Sequence, residues 1–329
     1  MAADEVRFGV VGLGMGASRC GTIASTPGAK LVAVADLNPE RGKKVSEKHK
    51  VDWHPEYERL LDRKDIDVIM VMTPSGVHAK MGIQAAQAGK HIITTKPIDV
   101  TLEAADALIR ECERCRVKLV VDFESRYSAD NNRIAEAIAA GKFGKLVLGE
   151  ARVKWFRAQS YYDDWHGTWA LDGGGSLINQ SVHWIDVLLW FMGPVDYVSG
   201  KIGIHTHRME TEDVGMAWLV FKNGAFGTIL GTTTFPDTLP ARVEIHGDKG
   251  GAATSNNKID YWKFKDEPPA DQQKPYVYHG PKNVIEDMVA VVREGKQPRV
   301  DGREGRRSLE LVKAIYLSAQ KGEIVELPL

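Results

Sequence analysis

Between Val6 and Val121 the chain alternates short β-branched runs with segments whose apolar residues recur every three or four positions. VRFGVVG, LVAVAD, VIMVM, HIITT and KLVVD are the strand-like runs. Such βαβα alternation dictates a parallel sheet with helices on both faces. After Asp122 the texture changes: a helix is expected at about Asn131–Ala140, a strand over Lys145–Arg157, and an amphipathic helix from about Ser176 to Met192. The runs YVSGKIGIHTH, VGMAWLVF, GAFGTILGTTTF and ARVEIHG follow, spaced by turn residues such as Lys222-Asn223-Gly224 and Gly247-Asp248-Lys249-Gly250, and predict an antiparallel meander. Helical patterns at about Val284–Glu294 and Arg303–Gln320 close the chain, and Asp266–Pro275 reads as an exposed loop. The fold class expected is α/β, with domains over 1–122 and 123–329. With 329 residues and 43% apolar content, each domain can bury its own core.

Composition excludes several function classes. Lys and Arg total 43 against 44 Asp and Glu, a formal net charge of -1, so the chain lacks the basic field that phosphate-backbone binding needs and no nucleic-acid partner is expected. A strand begins almost at once after MAADEV, without the pattern of a signal peptide, and no apolar run is long enough to cross a bilayer. Cys20, Cys112 and Cys115 make an odd set in a chain too large to depend on disulfides, which fits a reducing cytoplasm. Cys112 and Cys115 fall inside a helical pattern with no second pair, so no metal site is expected.

Directly after the first strand stands Gly12-Leu13-Gly14-Met15-Gly16-Ala17, a G-x-G-x-x-A pattern running into a helix. The first glycine permits a tight turn, and the second lets the backbone approach a pyrophosphate resting on helix N-terminal amides. A second strand ends at Asp36, where a carboxylate can accept hydrogen bonds from the adenosine ribose hydroxyls and repel a 2'-phosphate. NAD is therefore the expected cofactor, with NADP left open by nearby Arg41. Thr73, Pro74 and His78 follow the strand VIMVM and are expected to border the cofactor, because carboxyl ends of parallel strands face the ligand crevice. His78 carries no chemistry in this reading.

Lys96-Pro97 follows the strand HIITT, so Lys96 is expected beside the nicotinamide, hydrogen-bonding a substrate oxygen as charge grows on it. By itself such a lysine reads rather as a surface residue before a turn proline. The segment Asp172–Asp186 shifts the balance. Its three glycines permit close backbone approach. In the following helix Ile178, Val182, Ile185 and Leu189 form an apolar stripe, while Asn179 and His183, four apart, share another face. His183 reads either as a satisfied structural group or, with the near-neutral intrinsic pKa of histidine, as the base that removes a hydroxyl proton.

In this order the motifs resemble the Gfo/Idh/MocA oxidoreductases, over essentially the whole chain: Gly12–Ala17, Asp36, Thr73–His78, Lys96-Pro97, Gly173–Asp186 and the closing Ser318–Gly322. The resemblance implies a Rossmann domain followed by an α+β domain with a large, mostly antiparallel open sheet that serves oligomer contacts, giving a homodimer or homotetramer. It implies hydride transfer between NAD(P) and a hydroxyl-bearing carbon of a sugar, glycoside or cyclitol. The family's Glu-Lys-Pro lysine corresponds to Lys96, and its Asp-x-x-x-His pair to Asn179 and His183. Thr95 stands where the family's glutamate is usual, and Asn179 where aspartate is common. Asparagine cannot serve as a carboxylate base but still orients a hydroxyl, so it is read as a positioning group. Two rival activities of the family are an NAD-dependent glycosidase working by transient oxidation and elimination, and a non-catalytic sugar sensor.

Between the domain junction and the glycines lies an aromatic segment carrying Trp155, Arg157, Tyr161, Tyr162, Trp165, His166 and Trp169. Aromatic faces suit pyranose C–H surfaces, and Trp155, Arg157, Trp165 and His166 are expected to touch substrate together with Lys96, Asn179 and His183. Arg126 and Asp172 read either as substrate contacts or as structural groups. Only Arg157 is cationic there against Asp163, Asp164 and Asp172, which points to a neutral sugar.

Overall fold

A computed structural model describes residues 5–266 and 275–329, so most of the expected Asp266–Pro275 loop lies outside the described residues. The first unit contains β1 (Val6–Val11), α1 (Gly16–Ser25), β2 (Ala29–Ala35), α2 (Pro39–His49), β3 (Asp52–His54), α3 (Glu58–Leu61), β4 (Val68–Val71), α4 (His78–Gln87), β5 (His91–Thr95), α5 (Leu102–Cys115) and β6 (Leu119–Asp122). All its strand pairs are parallel, in the order β3-β2-β1-β4-β5-β6. The order reverses between β1 and β4, which is where a doubly wound sheet opens its ligand crevice. The helices start where the residues allow it. Asn38 accepts from the amides of Glu40 and Arg41 with Pro39 in the first turn of α2, and Thr101 accepts from Ala104 at the start of α5. Strand β3 is too short to betray itself by alternation.

The second unit holds α6 (Ala129–Ala139), β7 (Leu146–Lys154), α7 (Val182–Met192), β8 (Val195–Gly203), β9 (Val214–Phe221), β10 (Phe226–Thr232), β11 (Arg242–Gly247), β12 (Gly250–Ser255) and β13 (Lys258–Phe264). Helices α8 (Val284–Glu294) and α9 (Gly302–Lys321) and strand β14 (Val325–Glu326) complete the chain. The sheet order is β13-β12-β11-β7-β10-β9-β8-β14. The expected meander is thus corrected: β7 inserts between β10 and β11, pairing parallel with the first and antiparallel with the second. Sequence periodicity carries no information about which non-adjacent strand fills a gap. Helix α7 covers one face of this sheet, with Leu188 and Met192 lying where a side chain at Gly149 would stand.

The expected single boundary after residue 122 also needs correction. Residues up to Phe123 form one compact unit together with Pro281–Arg306, while Glu124–Gly280 and Arg307–Leu329 form the other. The return has a backbone cause: Val121 donates to the Val300 carbonyl at 2.9 Å, and Val120 makes an antiparallel bridge with Asp301. Cys112 and Cys115 lie on α5 as free thiols, and no metal-binding group of residues occurs among the described residues. No described helix is long and apolar enough to cross a membrane.

Candidate functional site

In the first unit, the loops after β1, β4 and β5 carry the predicted residues. Gly12 adopts φ +85°, and a Cβ there would lie 2.6 Å from the Met72 carbonyl oxygen, so only glycine lets the β1 loop press on the β4 loop. A Cβ on Gly14 would meet nothing within 4 Å, which leaves a cradle open over the backbone. Gly16 packs α1 closely on Met72 and Val10. The N-terminus of α1 has no acidic residue in its first turn and no side-chain cap, leaving its amides for an anion. Met15 is exposed at the rim, and Ala17 is half-buried in the first turn.

Asp36 is buried at the end of β2. One carboxylate oxygen accepts from the Leu13 amide at 2.6 Å, the other from Asn38 at 2.7 Å, and the Arg41 guanidinium approaches at 3.3 Å. The carboxylate thereby fixes the fingerprint loop. These features fit a dinucleotide: Gly14 would admit the pyrophosphate, the α1 amides would hold it, and Asp36 would meet the ribose.

Thr73 and Pro74 are half-buried after β4. His78 departs from the expected cofactor contact. It is fully buried, and its ring nitrogens lie 2.9 Å from the Pro97 carbonyl and 2.8 Å from that of Thr73. No edge of the ring remains for a nucleotide; His78 is a strut between the β4 and β5 loops. Asp99, unmarked in the sequence reading, accepts from the Ala79 amide at 2.8 Å and so fastens the same turn to α4. Lys96, half-buried beside a cis Lys96-Pro97 peptide, therefore stands on a backbone tied from two sides, even though Thr95 replaces an acid.

In the second unit every residue from Asp172 to Leu189 is buried except Asn179 and His183. The expected uniform helix is instead a π-helical turn, Ser176–Ser181, leading into α7. Asn179 donates through its amide to Asp172 at 2.6 Å, and Asp172 also accepts from the Gly167 amide at 2.8 Å. The ring of His183 lies 5.7 Å from that of Trp184, whose ring meets Trp155 edge-on at 5.1 Å.

From Trp155 the cluster continues to the other predicted residues. The Arg157 guanidinium lies 5.1 Å from the Trp155 ring and 5.3 Å from Tyr161. His166 stacks on Trp165 at 3.9 Å and lies 4.1 Å from Tyr161, with its Nδ1 2.6 Å from Asp164. Gln180 donates to the Tyr161 hydroxyl at 3.2 Å, joining the aromatic segment to the π-turn. Tyr162 is buried against Thr233, whereas Trp169 is exposed and rests on Tyr316. Arg126, which the sequence left open, forms a buried two-point pair with Asp186, at 2.6 and 2.9 Å, over the Trp190 ring.

Two acids missed by sequence reasoning underlie this unit. Glu212 accepts from the amides of Gly175 and Leu177 at 2.9 and 2.8 Å and from the Tyr316 hydroxyl at 2.9 Å. Burial pushes its carboxyl up to about 7 against the pull of those donors. Asp213 takes the opposite direction: burial works against its charge, but the amides of Thr206, His205 and His207 hold it below the usual range. His207 in turn lies 2.8 Å from the Arg157 carbonyl. Their only sequence signal was an acidic pair just ahead of the run VGMAWLVF.

Residues 6–123 match the model described as Oxidoreductase family, NAD-binding Rossmann fold, and residues 131–253 match the GFO/IDH/MocA C-terminal domain. The chain is similar to the WlbA dehydrogenase of Bordetella pertussis, solved with NADH and UDP-GlcNAcA, at 34% identity and a TM-score of 0.91 over 99% of both chains. The Chromobacterium violaceum WlbA, solved with the same two ligands, is 30% identical with a TM-score of 0.92, covering 100% of this chain and 98% of that one. Myo-inositol 2-dehydrogenase of Thermotoga maritima is 24% identical over 98% of each chain. With both of its units matched to the two family models, this chain belongs to the Gfo/Idh/MocA family and is an NAD(P)-dependent oxidoreductase of the sugar and cyclitol class.

Proposed function

We propose that the protein oxidises a hydroxyl-bearing carbon of an acidic, nucleotide-linked sugar of the UDP-GlcNAcA kind. The observation that carries this reading is the state of the charges around Arg157. The neutral-substrate expectation counted Asp163, Asp164 and Asp172 against it. Asp172 is buried and turned toward Gly167 and Asn179, Asp164 lies against His166, and Asp163 alone of the three stays exposed without such a contact among the described residues. Arg157, half-buried over two aromatic rings and donating one N–H to the Phe156 carbonyl at 2.9 Å, keeps further N–H groups with which to meet a carboxylate or phosphate. The ligands solved with both WlbA dehydrogenases support the same chemistry.

When bound, NAD accepts the hydride. The chain's own residues do the rest: His183 takes the hydroxyl proton, Asn179, oriented by Asp172, holds that hydroxyl, and Lys96 donates to the oxygen and steadies its growing charge. Trp155, Trp165 and His166 border the sugar. NADH formation from UDP-GlcNAcA, the matching free uronic acid and neutral sugars tests the reading. Arg157→Ala should lower kcat/KM for the acidic substrate by ~10- to 100-fold, the scale of a lost charge-assisted hydrogen bond. Equal rates on neutral sugars, unaffected by Arg157→Ala, would overturn it.

The open sheet face supports self-association as a homodimer or homotetramer. Met216, Trp218 and Phe226 on β9 and β10 are 56%, 46% and 63% exposed, an apolar patch of the kind monomers rarely leave bare. Trp218→Lys should reduce the molecular mass measured by sedimentation; a wild-type monomer would refute the assignment.

A further inference from the structure

We propose that Glu212 is a positioning residue that sets the orientation of Asn179 and His183 through the backbone of the glycine run, a role that rests on the functions proposed for those two side chains. The contacts run along consecutive residues. The Gly173 carbonyl accepts from Lys313 at 2.9 Å. A Cβ on Gly174 would fall on the Tyr316 hydroxyl, and one on Gly175 would lie 1.9 Å from the Glu212 carbonyl oxygen. That carbonyl accepts from the Ser176 amide at 2.9 Å, and the Glu212 carboxylate takes the amides of Gly175 and Leu177. The Gly175 carbonyl then accepts from the Asn179 amide at 3.0 Å. One side chain thus fixes both sides of the peptide from which the π-turn starts, and the turn ends where α7 presents His183.

The chemistry requires an acceptor at both carboxylate oxygens. Each faces a backbone N–H, and one also receives the Tyr316 hydroxyl, so three of the carboxylate's four lone-pair positions carry a donor and a proton on the remaining one weakens the acceptor that all three share. The ionised form, as the stronger acceptor, holds the turn most tightly. Of the titratable and charged groups around it, Tyr316 from α9 donates to the carboxylate, Lys313 from α9 binds the Gly173 carbonyl, Asp172 acts on Tyr316, and Asp213 is next in the chain. Burial raises the carboxyl toward neutrality, so below about pH 7 the hydrogen bonds that orient the turn weaken even though the protonated carboxyl is the less costly one to bury.

Glu212→Gln keeps the shape but sets an amide N–H against a backbone N–H. Two measurements on the full chain test the proposal. Ring NMR signals of His183, assigned by their loss in His183→Ala, report the turn without substrate and should shift in Glu212→Gln. Turnover of UDP-GlcNAcA should fall at least tenfold in kcat while the NAD dissociation constant stays within twofold of wild type. Tyr316→Phe is the second variant should Glu212→Gln fail to fold: loss of one donor to the carboxylate should move the acid limb of kcat/KM to higher pH. Shifted His183 signals in a protein inactive on UDP-GlcNAcA would support the positioning role while removing the substrate reading. Unchanged His183 signals in folded Glu212→Gln, or an unmoved acid limb in Tyr316→Phe, would overturn the positioning role.

Discussion

Replacing Asp36 by serine should convert a preference for NAD into one for NADP. The carboxylate is buried, with Arg41 at 3.3 Å and its side chain 54% exposed. A 2'-phosphate placed about 4 Å from this carboxylate meets a repulsion of about 4 kcal/mol per unit charge at an effective dielectric of ~20. Screening at a partly open site reduces that to roughly 2 kcal/mol. Loss of a charge-assisted hydrogen bond to the ribose costs NAD about 2 kcal/mol. Together the ratio of the two affinities should move by roughly 4 kcal/mol, close to a thousandfold, and the released Arg41 can pair with the phosphate. Serine also gives up part of the hold on the Leu13 and Asn38 amides, so some loss common to both cofactors is expected. Calorimetric titration of both cofactors into wild type, Asp36→Ser and Asp36→Ser/Arg41→Ala separates the contributions; the last variant should lose the gain in NADP affinity. A wild type that binds NADP as tightly as NAD, or a serine variant that changes both affinities by one factor, refutes the reasoning.

Three further outcomes follow from the same contacts. Gly175→Ala should fail to fold or lose several kcal/mol in denaturant melts, because its Cβ falls 1.9 Å from a backbone oxygen that has no room to retreat. Asp186→Ala should cost about 3–5 kcal/mol by leaving Arg126 buried without its carboxylate, and a loss under 1 kcal/mol in urea unfolding would contradict that. The raised Glu212 carboxyl binds protons more readily folded than unfolded, so its contribution is full below the ordinary value of 4.5 and falls as pH rises to about 7, by roughly 3 kcal/mol. Comparing wild type with Glu212→Gln across that window should show the fall in wild type alone.

The first unit was legible because its signals are local. Alternating runs name the strands, Gly12 and Gly14 mark a turn that only glycine can make, and Asp36 stands at a strand end set by the same periodicity. Helix positions such as α8 were readable from residue spacing alone. Asn179 and His183 could be singled out as a pair, since four-residue spacing in a helical run brings side chains together. What spacing could not supply was their exposure: a π-turn replaces the expected first helical turn, and burial of all their neighbours makes them the open positions of that run. His78 looked like a helix start beside a cofactor and became a buried strut, because its two carbonyl partners come from different loops. Asp164 and Asp172 counted as charges in sequence and proved to be committed to His166 and Asn179. Glu212 and Tyr316, 104 positions apart, meet only when α9 folds back against the glycine run. The sequence determined most of the strands and helices, though not β3, β12, β13 or β14, and marked the candidates for chemistry, since periodicity and residue type act over a few positions. Tertiary structure decided which strand β7 lies beside, where Val300 returns and which charges remain to meet a ligand, because hydrogen bonds between distant segments leave no trace in local spacing.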